Sequence, residues 1–221
     1  MNGKYLGPHA FLELIIRVLA DTRTPKYKIS CPAYIFALTD KEQPATIRAA
    51  AELYSKKLAF PIIANAGTTD SGYSGFEFCK RGLSFRGVPE DAVVTLINDE
   101  LRKGVNTLIE AKALVALAKK NRWEEITIIS APFHQIRCFI TVVSVLLKEY
   151  PELRVYNCPS EPFPWMGHSS HSQGTLKGKR KDFITAELDR IVKYHEKGDL
   201  ASLEEVLQYL NQRDSLTVKS S

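Results

Sequence analysis

Residues 125–156 read EITIISAPFHQIRCFITVVSVLLKEYPELRVY, and this stretch decides the fold. Glu125-Ile-Thr-Ile-Ile129 is a short β-branched run, and Ser130-Ala-Pro-Phe-His134 breaks it with polar and proline positions. Phe133 to Tyr150 is then strongly apolar over a helical length and stops at Pro151, after which Leu153-Arg-Val-Tyr156 returns to strand character. A helix between two strands carries the chain back to its starting edge, so the two strands are parallel and the crossover right-handed.

The same alternation runs outward from this unit. Tyr34-Ile-Phe-Ala-Leu38 reads as the first core strand, and Pro44 to Leu58 as a helix with Ile47, Ala50, Ala51, Leu53 and Tyr54 on one face. Phe60-Pro-Ile-Ile-Ala64 is the next strand, followed by a helix over Phe76 to Phe85 and the break Gly87-Val-Pro89. A strand at Val93 to Ile97 and a helix from about Asn106 to Asn121 complete the approach to Glu125. Ahead of all this, Phe11, Leu12, Leu14, Ile15, Val18 and Leu19 recur at helical spacing between Pro8 and Thr22. Beyond Tyr156 lies a polar loop, Cys158 to Lys181, then helices at about Asp182 to Glu196 and Leu200 to Gln212. The pattern predicts an α/β fold, a parallel sheet with helices on both faces. In this reading residues 1–30 carry a leading helix that packs on the domain, 31–159 form the α/β body, and 160–221 complete it with a loop and helices.

Composition narrows the function classes. The 221 residues are 44% hydrophobic and 25% charged, as in ordinary globular proteins. The net charge of +5 is spread over Lys56, Lys57, Lys119, Lys120, Lys148, Arg190 and others. The densest run, Lys177, Lys179, Arg180 and Lys181, has no aromatic residue within it and reads as a solvated helix start, so no nucleic-acid partner is expected. The apolar runs Phe11–Ala20 and Cys138–Leu147 are about half of what a bilayer needs, so no membrane association is expected. With no signal-peptide pattern at the N-terminus, a cytoplasmic location follows. Cys31, Cys79, Cys138 and Cys158 share no metal-ligand spacing and read as reduced thiols. His168 and His171, with His195 distant, lie among Ser and Gly and are not read as a metal site.

In open parallel sheets ligands bind outside the carboxyl ends of the strands, where helix N-termini supply free amide donors. Those ends read Leu38-Thr39-Asp40, Asn65-Ala-Gly67-Thr68-Thr69, Ile97-Asn98 with its loop to Asn106-Thr107, and Ser130-Ala-Pro-Phe-His134. His134 and Arg137 are one turn apart, so both can face the same crevice and hold an anion, unless His134 only caps the helix and Arg137 only covers surface. Asn106-Thr107 with Glu110 repeats the arrangement one helix earlier, and Asn106 also suits a plain N-cap. Pro162-Phe-Pro-Trp165 offers an aromatic wedge, either to stack on a flat ligand or to pack the C-terminal helices onto the sheet.

In chain order the motifs are Arg48 ahead of Leu53-Tyr54, Asn65-Ala-Gly67-Thr68, Glu77, Gly87-Val-Pro89, Asn106-Thr-Leu-Ile-Glu110 and Ser130-Ala-Pro-Phe-His134-Gln-Ile-Arg137. This succession, over roughly residues 33–159, resembles the YdcF/SanA/ElyC family. The resemblance implies a Rossmann-like fold and a strand-end pocket for nucleotide-like molecules, S-adenosylmethionine among them as a candidate ligand. Two features depart from the family: the first strand leaves through Leu38-Thr39-Asp40 rather than a glycine-rich turn, and Thr68 stands where a second glycine is usual.

The sequence therefore points to a cytoplasmic small-molecule-binding protein, enzyme or not, with ligand contacts among Thr39, Asp40, Arg48, Gly67, Thr68, Glu77, Asn106, Thr107, Glu110, Ser130, His134 and Arg137. His134 and Arg137 would take a carboxylate or phosphate. Glu77 and Glu110 would take hydroxyl groups, or one of them would act as a base if burial raised its pKa. Glu77, Glu110 and His134 are the catalytic candidates of a rival reading, a hydrolase or transferase acting on a phosphorylated sugar or lipid-linked precursor. A third reading has the C-terminal helices dock a protein through Leu203, Val206, Leu207 and Leu210.

Overall fold

The computed structural model describes residues 8–21, 30–69, 72–171 and 176–219. The chain runs α1 (Pro8–Leu19), β1 (Cys31–Ile35), α2 (Gln43–Ser55), β2 (Ala59–Asn65), α3 (Phe76–Ser84), a 3-10 turn (Glu90–Ala92) and β3 (Val93–Leu96). It continues through α4 (Asp99–Lys103), α5 (Thr107–Asn121), β4 (Glu125–Ser130), α6 (Pro132–Glu149) and β5 (Arg154–Pro159), and ends with β6 (His168–His171), β7 (Leu176–Lys179), α7 (Arg180–Glu196) and α8 (Leu203–Lys219).

Five strands form one parallel sheet in the order β3-β2-β1-β4-β5, the Rossmann-like order. Alternation along each strand divides the core in two. Ala33, Ile35, Ile62, Ala64 and Ile129 face α2 and α3, while Tyr34, Phe36, Ile63, Ile126 and Val155 face α5, α6 and α8. The first layer is rich in alanine, Ala49, Ala50 and Ala51 included, so α2 lies close on the sheet. The second is thicker and holds Phe139, Leu114 and Leu146. Leu14 and Val18 dock α1 onto that side, and Val206, Leu207 and Leu210 dock α8 there. The C-terminal face considered for protein docking is thus spent on the domain's own core.

The edge strand β5 is closed by side chains instead of a sixth strand. The Tyr209 hydroxyl accepts from Val155 N at 2.7 Å and donates to Leu153 O at 3.0 Å, Arg213 donates to Val155 O at 2.7 Å, and Asp21 accepts from Asn157 N at 3.0 Å. Arg213 and Asp21 also pair at 2.7 Å.

Three sequence expectations change. The first strand spans Cys31–Ile35 rather than 34–38, because Leu38 N leaves the ladder and donates to Gln43 Oε1 at 2.8 Å, in the first turn of α2. Asp99–Lys103 is a short helix, started by Asn98, whose side chain accepts from Leu101 N. The polar segment 158–181 is no plain loop: β6 and β7 pair antiparallel within it, His168 opposite Lys179 and Ser170 opposite Lys177. Polar alternation without an apolar face gives little strand signal, which hides this hairpin from a reading by hydrophobic period. Among the described residues, no helix is long and apolar enough to cross a membrane.

Candidate functional site

β1 and β4 are neighbours, but the helices that follow them leave to opposite faces, α2 to one and α6 to the other. This is the switch point of the sheet, where open α/β folds place their ligands. Leu38, Ser130 and Ala131 are buried there. The segment after β5 lies over it. Phe163, Leu176 and Phe183 pack with Leu38, Ala131 and Phe133, the Phe133 and Phe183 rings 5.6 Å apart between centroids. Thr39 Oγ1 donates to Ser170 O at 3.4 Å, and Arg180 donates to the buried Glu42 carboxylate at 2.9 Å.

Beside this cover, the first turns of α5 and α6 meet α7 in a buried ionic network. Glu187 Oε2 accepts from His134 Nδ1 at 2.7 Å and from Arg137 Nε at 2.6 Å. Its Oε1 accepts from Arg137 Nη2 at 3.2 Å and from Arg190 Nη1 at 3.1 Å. Arg137 Nη1 donates to Thr107 Oγ1 at 2.9 Å, which ties α5 to α6. A ring nitrogen this close to a carboxylate carries the proton, so His134 Nδ1 is a donor. The nearby Arg137 Nη2, 3.2 Å from that nitrogen, also only donates, and the pair makes no bond. His134, Arg137 and Glu187 are all buried, and burial disfavours a charged Arg137. The Glu187 carboxylate more than offsets this and holds Arg137 above its ordinary pKa.

A second buried carboxyl stands on the same side of β1. Glu110 Oε1 accepts from Tyr34 Oη at 2.6 Å and from Ala37 N at 2.8 Å, so it takes over a backbone donor where β1 leaves the sheet. Burial pushes its pKa up to about 7, against the opposing pull of the Tyr34 hydroxyl, Ala37 N–H, Asn65 and the Arg137 charge. Asn65 approaches Glu110 while its own Oδ1 accepts from Gly67 N at 2.6 Å. Asn65 interacts with Glu110 and Ser130 with Cys138, and the second oxygen of the buried Glu42 carboxylate has no hydrogen-bond partner among the described residues.

The predicted residues separate into two groups. Thr107, Glu110, Ser130, His134 and Arg137 come together, buried, where α5 and α6 begin. Asp40 and Glu77 are exposed, and Arg48 is exposed in an ion pair with Glu161 at 3.2 Å. Asn106 is exposed and accepts from Leu108 N and Ile109 N, each at 3.0 Å, the N-cap that its residue type suits. Gly67 is needed for packing: an added Cβ would lie 2.4 Å from Leu101 O, and Thr68 N donates to that same oxygen at 3.1 Å. Thr39 is buried under the hairpin. Trp165 is partly exposed and belongs to none of the apolar clusters.

The expectation of an open His134–Arg137 cation pair is corrected by Glu187, which fills it from α7. Nor does Arg137 bridge to Glu77 or Glu110, the two acidic residues nearest in the motif order. Glu187 was legible in principle, because Phe183, Glu187 and Ile191 form an i, i+4, i+8 stripe and a carboxylate in the middle of such a stripe needs a buried partner. Tyr34 carries a similar signal, a lone hydroxyl in an apolar strand. No group of His, Cys, Asp and Glu able to hold a metal occurs among the described residues, and the side chain of His171 lies outside them. The cysteines are free, and burial pushes the Cys79 and Cys158 thiols up to about 11, far from reactive thiolates.

Fold and site together define a Rossmann-like α/β protein in which the segment after β5 packs over the carboxyl ends of β1 and β4. No family model matches the chain, and no curated protein matches it in sequence.

Proposed function

We propose that this protein works in the cytoplasm and binds a small nucleotide-like ligand through an anionic group of that ligand, at the carboxyl ends of β1 and β4, where the likeness to the YdcF/SanA/ElyC family implies a pocket. S-adenosylmethionine, through its carboxylate, is the first candidate. One observation carries the reading: His134 and Arg137 converge on a single carboxylate, that of Glu187, beside the switch point, and Thr107, from a motif distant in sequence, holds Arg137 there. Native mass spectrometry of freshly purified protein tests it. A co-purifying species of nucleotide-like mass is the expected result, and an empty chain that also ignores added S-adenosylmethionine contradicts it.

A second reading, an enzyme acting on a phosphorylated sugar or lipid-linked precursor, is favoured by the His134–Glu187 contact and by the Glu110 pKa of about 7. Both are attributes of acid–base groups that work near neutral pH. In that case a sugar phosphate, not a nucleotide, co-purifies.

A further inference from the structure

We infer that Glu187 is an internal stand-in for the ligand's own carboxylate, so that the seat formed by His134 and Arg137 on α6 recognises a planar carboxylate and the ligand displaces α7 to reach it. The inference rests on the proposed binding function and narrows its ligand class. It begins from the saturation of Glu187. Four donors, His134 Nδ1, Arg137 Nε, Arg137 Nη2 and Arg190 Nη1, reach its two oxygens, two to each. A carboxylate has about four lone-pair positions, and the Nε/Nη2 edge of a guanidinium matches its two oxygens in plane. A tetrahedral phosphate would carry further oxygens into the same buried space without donors to meet them.

The way α7 is held allows the exchange. Of its residues only Phe183, Glu187 and Ile191 are buried, a narrow stripe with the charge at its centre. The polar contacts of α7 and of the segment before it go to predicted ligand contacts or their neighbours: Glu161 to Arg48, Ser170 to Thr39, Arg180 to Glu42, and Glu187 to His134 and Arg137. The segment after β5 therefore engages the strand-end residues much as a ligand would, and a ligand competes with it.

The test uses the full chain and the variants Glu187→Ala and Glu187→Gln, with sodium acetate, sodium chloride at matched ionic strength, and S-adenosylmethionine as probes. In Glu187→Ala the seat is vacated, so acetate raises the melting temperature saturably while chloride does not, and adding Arg137→Lys abolishes the rise. Should Glu187→Ala not fold, Glu187→Gln, nearly the same shape, carries the comparison: acetate raises its melting temperature more than the parent's. S-adenosylmethionine is expected to bind Glu187→Gln at least tenfold more tightly than the parent, since the competing charge is gone. Equal effects of acetate and chloride would overturn the inference whatever S-adenosylmethionine does. Weaker S-adenosylmethionine binding by Glu187→Gln than by the parent would also overturn it, because Glu187 would then position Arg137 for the ligand instead of occupying its place. If acetate acts as expected and S-adenosylmethionine binds neither protein, the carboxylate seat stands and the nucleotide-like reading falls.

Discussion

Helices α6 and α7 pack against each other, yet they are held in opposite ways. Every residue of α6 from Phe133 to Leu146 is buried, between the sheet on one side and α1, α5, α7 and α8 on the other. α7 buries three residues, one of them Glu187. The difference follows from sequence. Phe-Ile-Thr-Val-Val-Ser-Val-Leu-Leu leaves α6 no polar face, whereas α7 interleaves Phe183, Leu188, Ile191 and Tyr194 with charged residues and places Glu187 among its three buried positions. Such a helix should open more readily than one without a polar face.

The sharpest way to break this comparison is to truncate one aromatic side chain on each helix. Phe139, fully buried beside Tyr209, should lose about 3–5 kcal/mol of global stability on Phe139→Ala. Phe183→Ala should lose about 1–2 kcal/mol, since α7 can open and cap the loss. Adding Glu187→Ala to it should cost less than the sum of the two single changes. Urea unfolding of the four proteins decides, and equal losses at Phe139 and Phe183 would show that α7 is as much core as α6.

Arg137→Lys comes next. It loses the planar fork to Glu187 and the bond to Thr107, so stability should fall by about 1–3 kcal/mol and ligand affinity by roughly tenfold. Unchanged melting would mean that Arg137 is not engaged as the structure shows. Had Arg137 been an open anion clamp, only binding would have suffered.

Glu110 gives an effect of similar size that pH reveals. Its folded pKa of about 7 lies above its ordinary value of 4.5, so between those values the folded state holds a proton that the unfolded state has lost. Stability therefore falls as pH rises from about 4.5 to 7 and then levels off, by on the order of 1–3 kcal/mol. Glu110→Gln keeps an acceptor for Tyr34 and Ala37 and should flatten this slope. Parallel stability–pH curves for parent and variant would contradict the burial of an ionisable carboxyl there.

How much of this was legible differs between the same two regions. The β-α-β unit around α6 was read within one to three residues, because apolar period, Pro132 and Pro151 all agree on the limits of its helix. The gathering of Thr107, Glu110, Ser130, His134 and Arg137 was also legible, since each follows or opens an element at the carboxyl edge. What covers them was not. Strands β6 and β7 have Leu176 as their one apolar residue, and the partner of Arg137 sits 50 positions along the chain, so only three-dimensional packing brings Glu187 to it. Asn106, Gly67 and Arg48 stand apart from that group. Their residue types fit a ligand, and in the structure they serve as a cap, a close backbone approach and a surface ion pair.

Arg48→Ala should have the smallest effect. Its pair with Glu161 is exposed at both ends, and such pairs contribute about 0–1 kcal/mol, so melting should barely shift. A larger loss would place this contact among the main fasteners of the cover.

The most direct test of the central claim, that residues beyond β5 form a cover which opens on its own, is native-state hydrogen exchange resolved to single amides. The account predicts that amides of α7 exchange through a local opening, at a free energy well below that of α6, β1 and β4, which exchange only when the whole domain unfolds. Amides of α7 that share the protection and denaturant dependence of α6 would contradict it.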